Sequence, residues 1–528
     1  MGSPTMCVSG PIATRITNDK TMMTPLRLLY FGHRWLGLAI CLLLAMWCLS
    51  GVVMMYVGFP QLTRDEYYAG LEPLAAERIN IGPQQPLAMA GAGANIEQLL
   101  LTGSAGRPVY LLKAQDTPWR GMYADSGANI EQLPASAAVA AAVHFYQTQH
   151  PAAAVTGQYL QQLHIDQWSV SDGLHPYRPL HRVSIADGMG TELYVSALTG
   201  QVVRDTRRSE RIWNWLGANL HWIYPVQLRQ HRSLWENVII GLALVGLVAV
   251  ITGAIIGVMR LRLKRRYPDG SCSPYRGMTR YHHILGLLVL VFLLTFLFSG
   301  LMSVGPWDVF AANSSFAEQQ RRYRQQHGLL RSAPAYSQPE AIRQLLRQGA
   351  HFPVKQIVWH WIGGESHVSL HGSKQDVQQR LAPGATASLQ QKIHDHIGKL
   401  IPGSSILARQ QLHSYDLYYY SHHNRYRPLP ALRVKFADPE ATWFHIDPAT
   451  GAILNRLTDR GRLQRWLYKG LHTFDFNVLL SHRPAWDLLL ISLCSVIFAF
   501  SVTAVVIAAQ YLRRKKRALT RVSAALNK

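Results

Sequence analysis

Apolar runs and long mixed stretches alternate along this chain. The apolar runs come in four, at about Leu28 to Val57, Val238 to Met259, Ile284 to Val304 and Leu488 to Tyr511. Each exceeds the roughly 18 to 20 residues that a helix rising about 1.5 Å per residue needs to cross a hydrocarbon core of about 30 Å. The first is too long for a signal peptide, and Trp47-Cys48-Leu49 offers no small-residue cleavage pattern, so it is read as a retained helix. Between the runs the period changes. Val183-Ser-Ile-Ala, Glu192-Leu-Tyr-Val-Ser and Gln201-Val-Val read as strands, with Thr199-Gly200 as a turn. Arg433-Val-Lys-Phe and Thr442-Trp-Phe-His-Ile repeat the pattern, followed by the turn Asp447-Pro-Ala-Thr450-Gly451 and Ala452-Ile-Leu. Helices are expected over Ser136–Gln147 and Ser337–Gln348, the latter opened by a capping box of Ser337 and Glu340.

The pattern also repeats at long range. His33-Arg-Trp-Leu-Gly37-Leu with Ser50-Gly51 reappears as His282-His-Ile-Leu-Gly286-Leu with Ser299-Gly300, displaced by 249 residues. Tyr177-Arg-Pro-Leu, Arg182-Val and Thr199-Gly200 match Tyr426-Arg-Pro-Leu, Arg433-Val and Thr450-Gly451. Trp215, Leu220-His221, His231-Arg232, Trp235 and Thr252 match Trp466, Leu471-His472, His482-Arg483, Trp486 and Thr503 at a displacement of 251. The expected fold is therefore an integral membrane α-helical protein with four transmembrane helices as a tandem duplication and two α+β exported domains. Two parallel copies imply a pseudo-twofold near the membrane normal, which sets equivalent side chains face to face.

Charge fixes the orientation. Arg260, Arg262, Lys264, Arg265, Arg266, Arg276 and Arg280 follow the second run, and Arg513, Arg514, Lys515, Lys516 and Arg517 follow the fourth, so both flanks and both termini are expected in the cytoplasm. The resulting division is a cytoplasmic N-terminus 1–27, helices 28–57, 231–260, 280–305 and 483–512, exported domains 58–230 and 306–482, a basic linker 261–279 and a basic tail 513–528. A formal charge of +23 could suggest nucleic acid, but these flanks account for much of it, and no nucleic-acid partner is expected. Cys7, Cys41, Cys48, Cys272 and Cys494 all fall in helices or cytoplasmic segments, leaving the exported domains without an internal disulfide. No Cys-x-x-Cys-His occurs, so any haem is held by ligands alone.

Histidine carries the candidate chemistry. Of 23 histidines, three pairs recur at membrane boundaries: His33 with His282, His221 with His472, and His231 with His482. Imidazole is the usual axial ligand of b-type haem and is costly near lipid without a partner. Gly37 lies four residues after His33 and Gly51 eighteen after, so all three share one helix face; His282, Gly286 and Gly300 repeat this. A glycine beside the ligand leaves room for a porphyrin, and one about 27 Å further on leaves room for a second. His33 and His282 are the candidates for an inner haem b, and His221, His231, His472 and His482 for an outer one. The competing reading makes the glycines packing contacts and the histidines interfacial groups bonded to carbonyls. His283 competes with His282 but points about 100° away around the helix, and repeat alignment favours His282. Met54, Met55 and Met302 read as apolar filling. His360, His367, His371, His394, His396, His422 and His423 are scattered, and solvated surface is the favoured reading over metal binding. The second exported segment carries excess Lys and Arg, where either an anionic substrate or solvent is accommodated.

The His33-Arg-Trp-Leu-Gly-Leu opening, Ser-Pro-Tyr275-Arg-Gly with Arg280-Tyr-His-His, and the Asp447-Pro-Ala-Thr450-Gly451 turn together resemble the PepSY-associated transmembrane family of bacterial inner-membrane proteins. The resemblance runs from about Leu26 to Arg517. It implies periplasmic PepSY-like domains on a four-helix membrane part. Some members of that family are haem-containing ferric siderophore reductases, similar to the ferrioxamine B type. The expected function is thus a haem b oxidoreductase, with two haems, passing electrons across the inner membrane to a periplasmic ferric siderophore or other iron chelate. No dinucleotide fingerprint is present, so the donor is expected to be separate, a quinol or a cytoplasmic flavoprotein. The alternative is a non-redox PepSY regulator, a peptidase inhibitor or sensor. Transport is a weaker reading, because no span holds a buried carboxylate.

Overall fold

The computed structural model describes residues 25–91, 94–324, 333–348, 350–385, 387–421 and 426–526. Cys7, His422 and His423 lie outside them. Four helices are long and apolar enough to cross a membrane: α1 (Pro25–Tyr56), α2 (Arg232–Arg260), α3 (Met278–Ser303) and α4 (Arg483–Leu526). The last runs on through Arg513–Arg517 as far as Leu526, so the residues expected as a basic tail are helical to that point. α1 and α3 each pack against both α2 and α4, which sets α1 and α3 across the bundle from one another. Ile40, Leu44, Ala249, Val250, Val289, Leu293, Leu297 and Ile497 fill the space between them.

Among the described residues, the rest form fifteen strands in three antiparallel sheets. β1 (Ile96–Ser104), β2 (Arg107–Ala114), β3 (Arg120–Tyr123) and β4 (Asn129–Ile130) precede a helix at Ala135–Gln149. β5 (Gly157–Leu163), β6 (Leu180–Ile185), β7 (Glu192–Ser196) and β8 (Val202–Thr206) then form a four-stranded meander. After α3 come a helix at Pro339–Gln348 and the strands β9 (Gln356–Ile362), β10 (Glu365–His371) and β11 (Val377–Leu381). A second meander follows, of β12 (Ile406–Leu412), β13 (Ala431–Phe436), β14 (Trp443–Ile446) and β15 (Ile453–Leu457). The expected strands of both meanders are present. The helix expected from Ser337 instead opens at Pro339, because proline fits the first helical position where no N–H is needed; Glu340 pairs with Arg343.

The sheet regions are not two separate units. One sheet of seven strands, in the order β11-β10-β9-β1-β2-β3-β4, joins them through antiparallel pairing of β1 with β9. Leu100 stands opposite Val358, and Leu101 opposite Ile357. On one side of that central pair lie β10 and β11 and on the other β2, β3 and β4, with Leu100 opposite Leu111 and Val358 opposite Ser369. One face buries Leu99, Leu101, Tyr110, Leu112, Ile357, Trp359 and Leu370. On the other, Leu100, Val109, Leu111 and Val358 pack with the first meander and the Ala135–Gln149 helix. Strands buried on both faces lose the apolar–polar alternation, which is why β1 and β2 give no period-two signal.

Candidate functional site

Two pairs of imidazoles face each other inside the bundle. His33 on α1 and His282 on α3 have ring centres 6.3 Å apart. His221, in the short helix Ala218–His221 before α2, and His472, after the π-helical turn Trp466–Gly470, have centres 6.1 Å apart. In both pairs the partners are histidines that the sequence matches to one another.

Hydrogen bonds fix the tautomer of all four rings. The Thr503 hydroxyl donates to the Phe500 carbonyl at 2.6 Å, so at 3.2 Å from His282 Nδ1 it accepts the imidazole proton. His33 Nδ1 donates to the Ala249 carbonyl at 3.0 Å, with Thr252 Oγ1 at 3.4 Å. Ser299 donates to the Phe296 carbonyl at 3.2 Å and receives His472 Nδ1 at 2.9 Å. His221 Nδ1 donates to the Trp47 carbonyl at 3.1 Å beside Ser50 Oγ at 3.2 Å. With the δ nitrogen protonated and occupied, each ring keeps the ε lone pair for a metal. A carbonyl or hydroxyl on the far nitrogen is the usual support of a ligating histidine. A metal–nitrogen bond of about 2.0 Å, plus the distance from nitrogen to ring centre, places two rings bound to opposite sides of one metal about 6.3 Å apart. Both pairs have that separation.

The glycines divide between the pairs as their spacing requires. A Cβ on Gly51 would lie 3.2 Å from His221 Cε1, and one on Gly300 3.7 Å from His472 Cε1, so both glycines sit against the second pair. A Cβ on Gly37 would meet nothing within 4 Å, leaving open space next to His33. Gly286 packs against Phe500, whose ring stacks on His282 at 4.7 Å. The closest approach is at a glycine the sequence did not single out: a Cβ on Gly253 of α2 would lie 2.6 Å from His33 Cε1.

The other histidines separate cleanly. His283 is buried with both nitrogens engaged, Nδ1 by Ser273 Oγ at 2.8 Å and Nε2 by the Gly257 carbonyl at 2.8 Å, which ties the linker to α2 and leaves no lone pair for a metal. His231 and His482 are exposed at the starts of α2 and α4 and are not brought to either pair. His482 Nδ1 bonds the Val478 carbonyl at 2.9 Å. Met302 is buried among Ala243 and Leu301. His394 lies beside Arg409, and His396 bonds the Lys392 carbonyl at 2.9 Å.

His360, His367 and His371, scattered in the sequence, meet on one face of β9 and β10. Ser369 Oγ sits 2.7 Å from both His360 Nε2 and His371 Nε2, and the His360 and His367 rings stack at 5.3 Å. His367 Nε2 bonds the Thr450 carbonyl at 2.8 Å. Burial pushes His367 and His371 down to about 4, and His360 well below the ordinary histidine range, so all three are neutral at pH 7. No three His, Cys, Asp or Glu side chains converge on a metal-sized site among the described residues.

The model of the PepSY-associated TM region matches residues 30–399. The chain belongs to that family. The matched span contains α1, α2 and α3 with His33, His221 and His282, so this PepSY-associated protein carries three of its four paired imidazoles inside the part that defines the family. No curated protein matches the chain. Its four apolar helices make it a membrane protein. Sequence reasoning found Thr252, Thr503, Ser50 and Ser299 as repeated positions without giving them a role; their recurrence at the displacement of the histidines was the available signal.

Proposed function

We propose that this membrane protein is a haem b oxidoreductase of the bacterial inner membrane that passes electrons outward to periplasmic ferric iron held by a siderophore. The observation that carries this reading is the pair of facing imidazole pairs, each with its ε nitrogens free and its δ nitrogens anchored. When bound, haem supplies a one-electron iron couple at each pair. His33 and His282 would hold the group at the linker end of the bundle, and His221 and His472 the group at the sheet end. Thr252, Thr503, Ser50, Ser299 and the Ala249 and Trp47 carbonyls keep each ring in one orientation, so little rearrangement accompanies a change of iron charge. Ile40, Leu44, Leu293 and Leu297 keep water out between the two levels. In the same reading the two halves are a duplicated unit, the basic linker and tail are cytoplasmic, and electrons enter from a quinol or a flavoprotein at the linker end. Ferrous iron binds hard oxygen donors less tightly than ferric iron, so a single electron releases the metal from its chelator.

The test is the spectrum of purified protein produced with adequate haem supply. Two b-type haems per chain are expected, with an α band on dithionite reduction; its absence removes the redox reading and leaves the PepSY regulator.

A further inference from the structure

The two four-stranded meanders have the same register but differently built outer faces. In the first, Ser184 on β6 stands opposite Glu192 on β7, and Arg182 opposite Tyr194. Glu192 binds Arg182 at 2.6 Å and Arg211 at 3.3 Å, and Asp166 lies 3.7 Å from Arg182, so two guanidiniums meet two carboxylates. In the second, Lys435 on β13 stands opposite Trp443 on β14, and Arg433 opposite His445. Tryptophan thus takes the place of the glutamate, and lysine that of the serine.

Three cations surround that ring. The Lys435 ammonium lies 4.3 Å from its centre, the Arg462 guanidinium 4.4 Å and the Arg433 guanidinium 5.1 Å. Among the described residues only Arg433 of the three has a carboxylate in direct contact, the bidentate Asp416 at 2.6 and 2.9 Å. Arg462 donates to the Ala441 and Leu457 carbonyls. The carboxylates of Asp438, which accepts from Thr442, and Asp459, which accepts the Arg460 amide, act on Arg462 only from a longer range. Trp443, Lys435 and Arg462 are each only partly buried, so the ring and both cations reach solvent. The ring also leads inward. Tyr418, Trp466, Phe476, Phe474 and Phe296 connect Trp443 to His472 through ring contacts of 5.2 to 6.5 Å.

We infer that the Trp443 face of β13 and β14 binds an anionic metal chelate, a trivalent ion wrapped by carboxylate or catecholate oxygens. The assignment rests on the proposed function for its iron and on the face itself for its charge. A multiply charged anion gains from two solvent-reaching cations with no carboxylate in direct contact, and an aromatic platform accepts the flat surface of a catecholate. The same face in the first meander is closed by Glu192 and refuses an anion.

The test uses a redox-inert probe, so that binding and electron transfer are read apart. A trianionic gallium(III) tris-catecholate is titrated into the full-length protein in nanodiscs, with a neutral gallium(III) tris-hydroxamate as control. The anionic complex is expected to bind at least about tenfold more tightly, with affinity falling as salt rises. Trp443→Glu, which restores the acid of the first meander, is expected to weaken it by about tenfold or more, and Lys435→Ser by a smaller factor. Trp443→Phe keeps the ring without adding charge and is expected to retain binding, which guards against misfolding as the cause. Equal affinity for the two complexes, or unchanged binding by both Trp443→Glu and Lys435→Ser, overturns the site. Retained chelate binding by protein without a b-type spectrum overturns the redox proposal and leaves this site standing.

Discussion

A histidine near lipid is placed to serve a metal when one nitrogen is held, the other is free and a second ring faces it, and that combined condition separates the histidines here: His482, held through Nδ1 at 2.9 Å, faces no second imidazole among the described residues. His33, His282, His221 and His472 meet it; His283 has both nitrogens bonded. Replacing His33 or His282 with alanine is expected to remove about half of the b-haem per chain, as is replacing His221 or His472, while the His231→Ala and His482→Ala proteins keep all of it by pyridine haemochrome assay. Thr503→Val removes the acceptor of His282 Nδ1 and is expected to weaken haem at that pair about 10- to 100-fold. His283→Ala keeps both haems but costs about 2 to 4 kcal/mol, because Ser273 Oγ and the Gly257 carbonyl lose a buried partner. The recurrence of His33 as His282 and of His221 as His472 was legible in the sequence, but nothing there chose His221 and His472 over His231 and His482, which recur at the same displacement of 251. The cluster of His360, His367 and His371 was not legible, because it needs the register of β10 against β9. Burial holds His367 and His371 at about 4 against an ordinary 6.5, so the unfolded chain binds more protons through that interval. Their contribution is complete above about pH 6.5 and lost as pH falls towards 4, up to about 3 kcal/mol for each. Melting temperature of the solubilised protein should fall over that window, and His367→Gln should flatten the slope.

At the scale of elements, glycine spacing decides how closely helices approach the rings. Gly51 and Gly300 follow their histidines by eighteen residues, and each lies against the second pair, as five helical turns require. Gly37→Ala meets no atom within 4 Å, so the polypeptide alone gives no reason for it to disturb the bundle. Haem loss from Gly37→Leu in a protein that keeps its fold and its second haem would therefore report the group lying in that space. Gly253→Ala is expected to act differently: its Cβ would lie 2.6 Å from His33, forcing the ring off its Ala249 bond and shifting the reduced spectrum or potential of that haem alone. An unchanged spectrum would show that α2 can move aside. Gly253 escaped the sequence reading because its counterpart at the same displacement is Ala504, so recurrence gave no mark. The four membrane helices were legible from length and apolarity, whereas the true end of α4 was not, since basic residues continue a helix as readily as they end a span.

The whole molecule is tied together away from the membrane. Expectation divided the extramembrane residues into two domains, yet the pairing of β1 with β9 joins them through one seven-stranded sheet, and a sequence cannot show which edge strand pairs with which when both are apolar on both faces. That junction can be tested chemically. Among the described residues the cysteines, at Cys41, Cys48, Cys272 and Cys494, lie in the helices and the linker, none of them in a strand. Leu100→Cys with Val358→Cys therefore places two new thiols directly opposite each other across β1 and β9. Oxidation should give an intramolecular disulfide that speeds migration under non-reducing conditions, and neither single variant should do so. Val358→Pro removes a donor from the middle of the sheet and should cost about 3 kcal/mol or more. If the cross-link fails in folded protein, the two halves are joined only by their helices. If it forms, the sheet fixes the Trp443 face relative to the His221 and His472 pair, because β9 and the second meander share the core residues Ile362, Val434 and Phe444. A rigid sheet then holds the Trp443 face and the His221 and His472 pair at one distance. On this account, locking β1 to β9 should leave chelate affinity and electron transfer unchanged, whereas an increase in either would mean that the halves normally part.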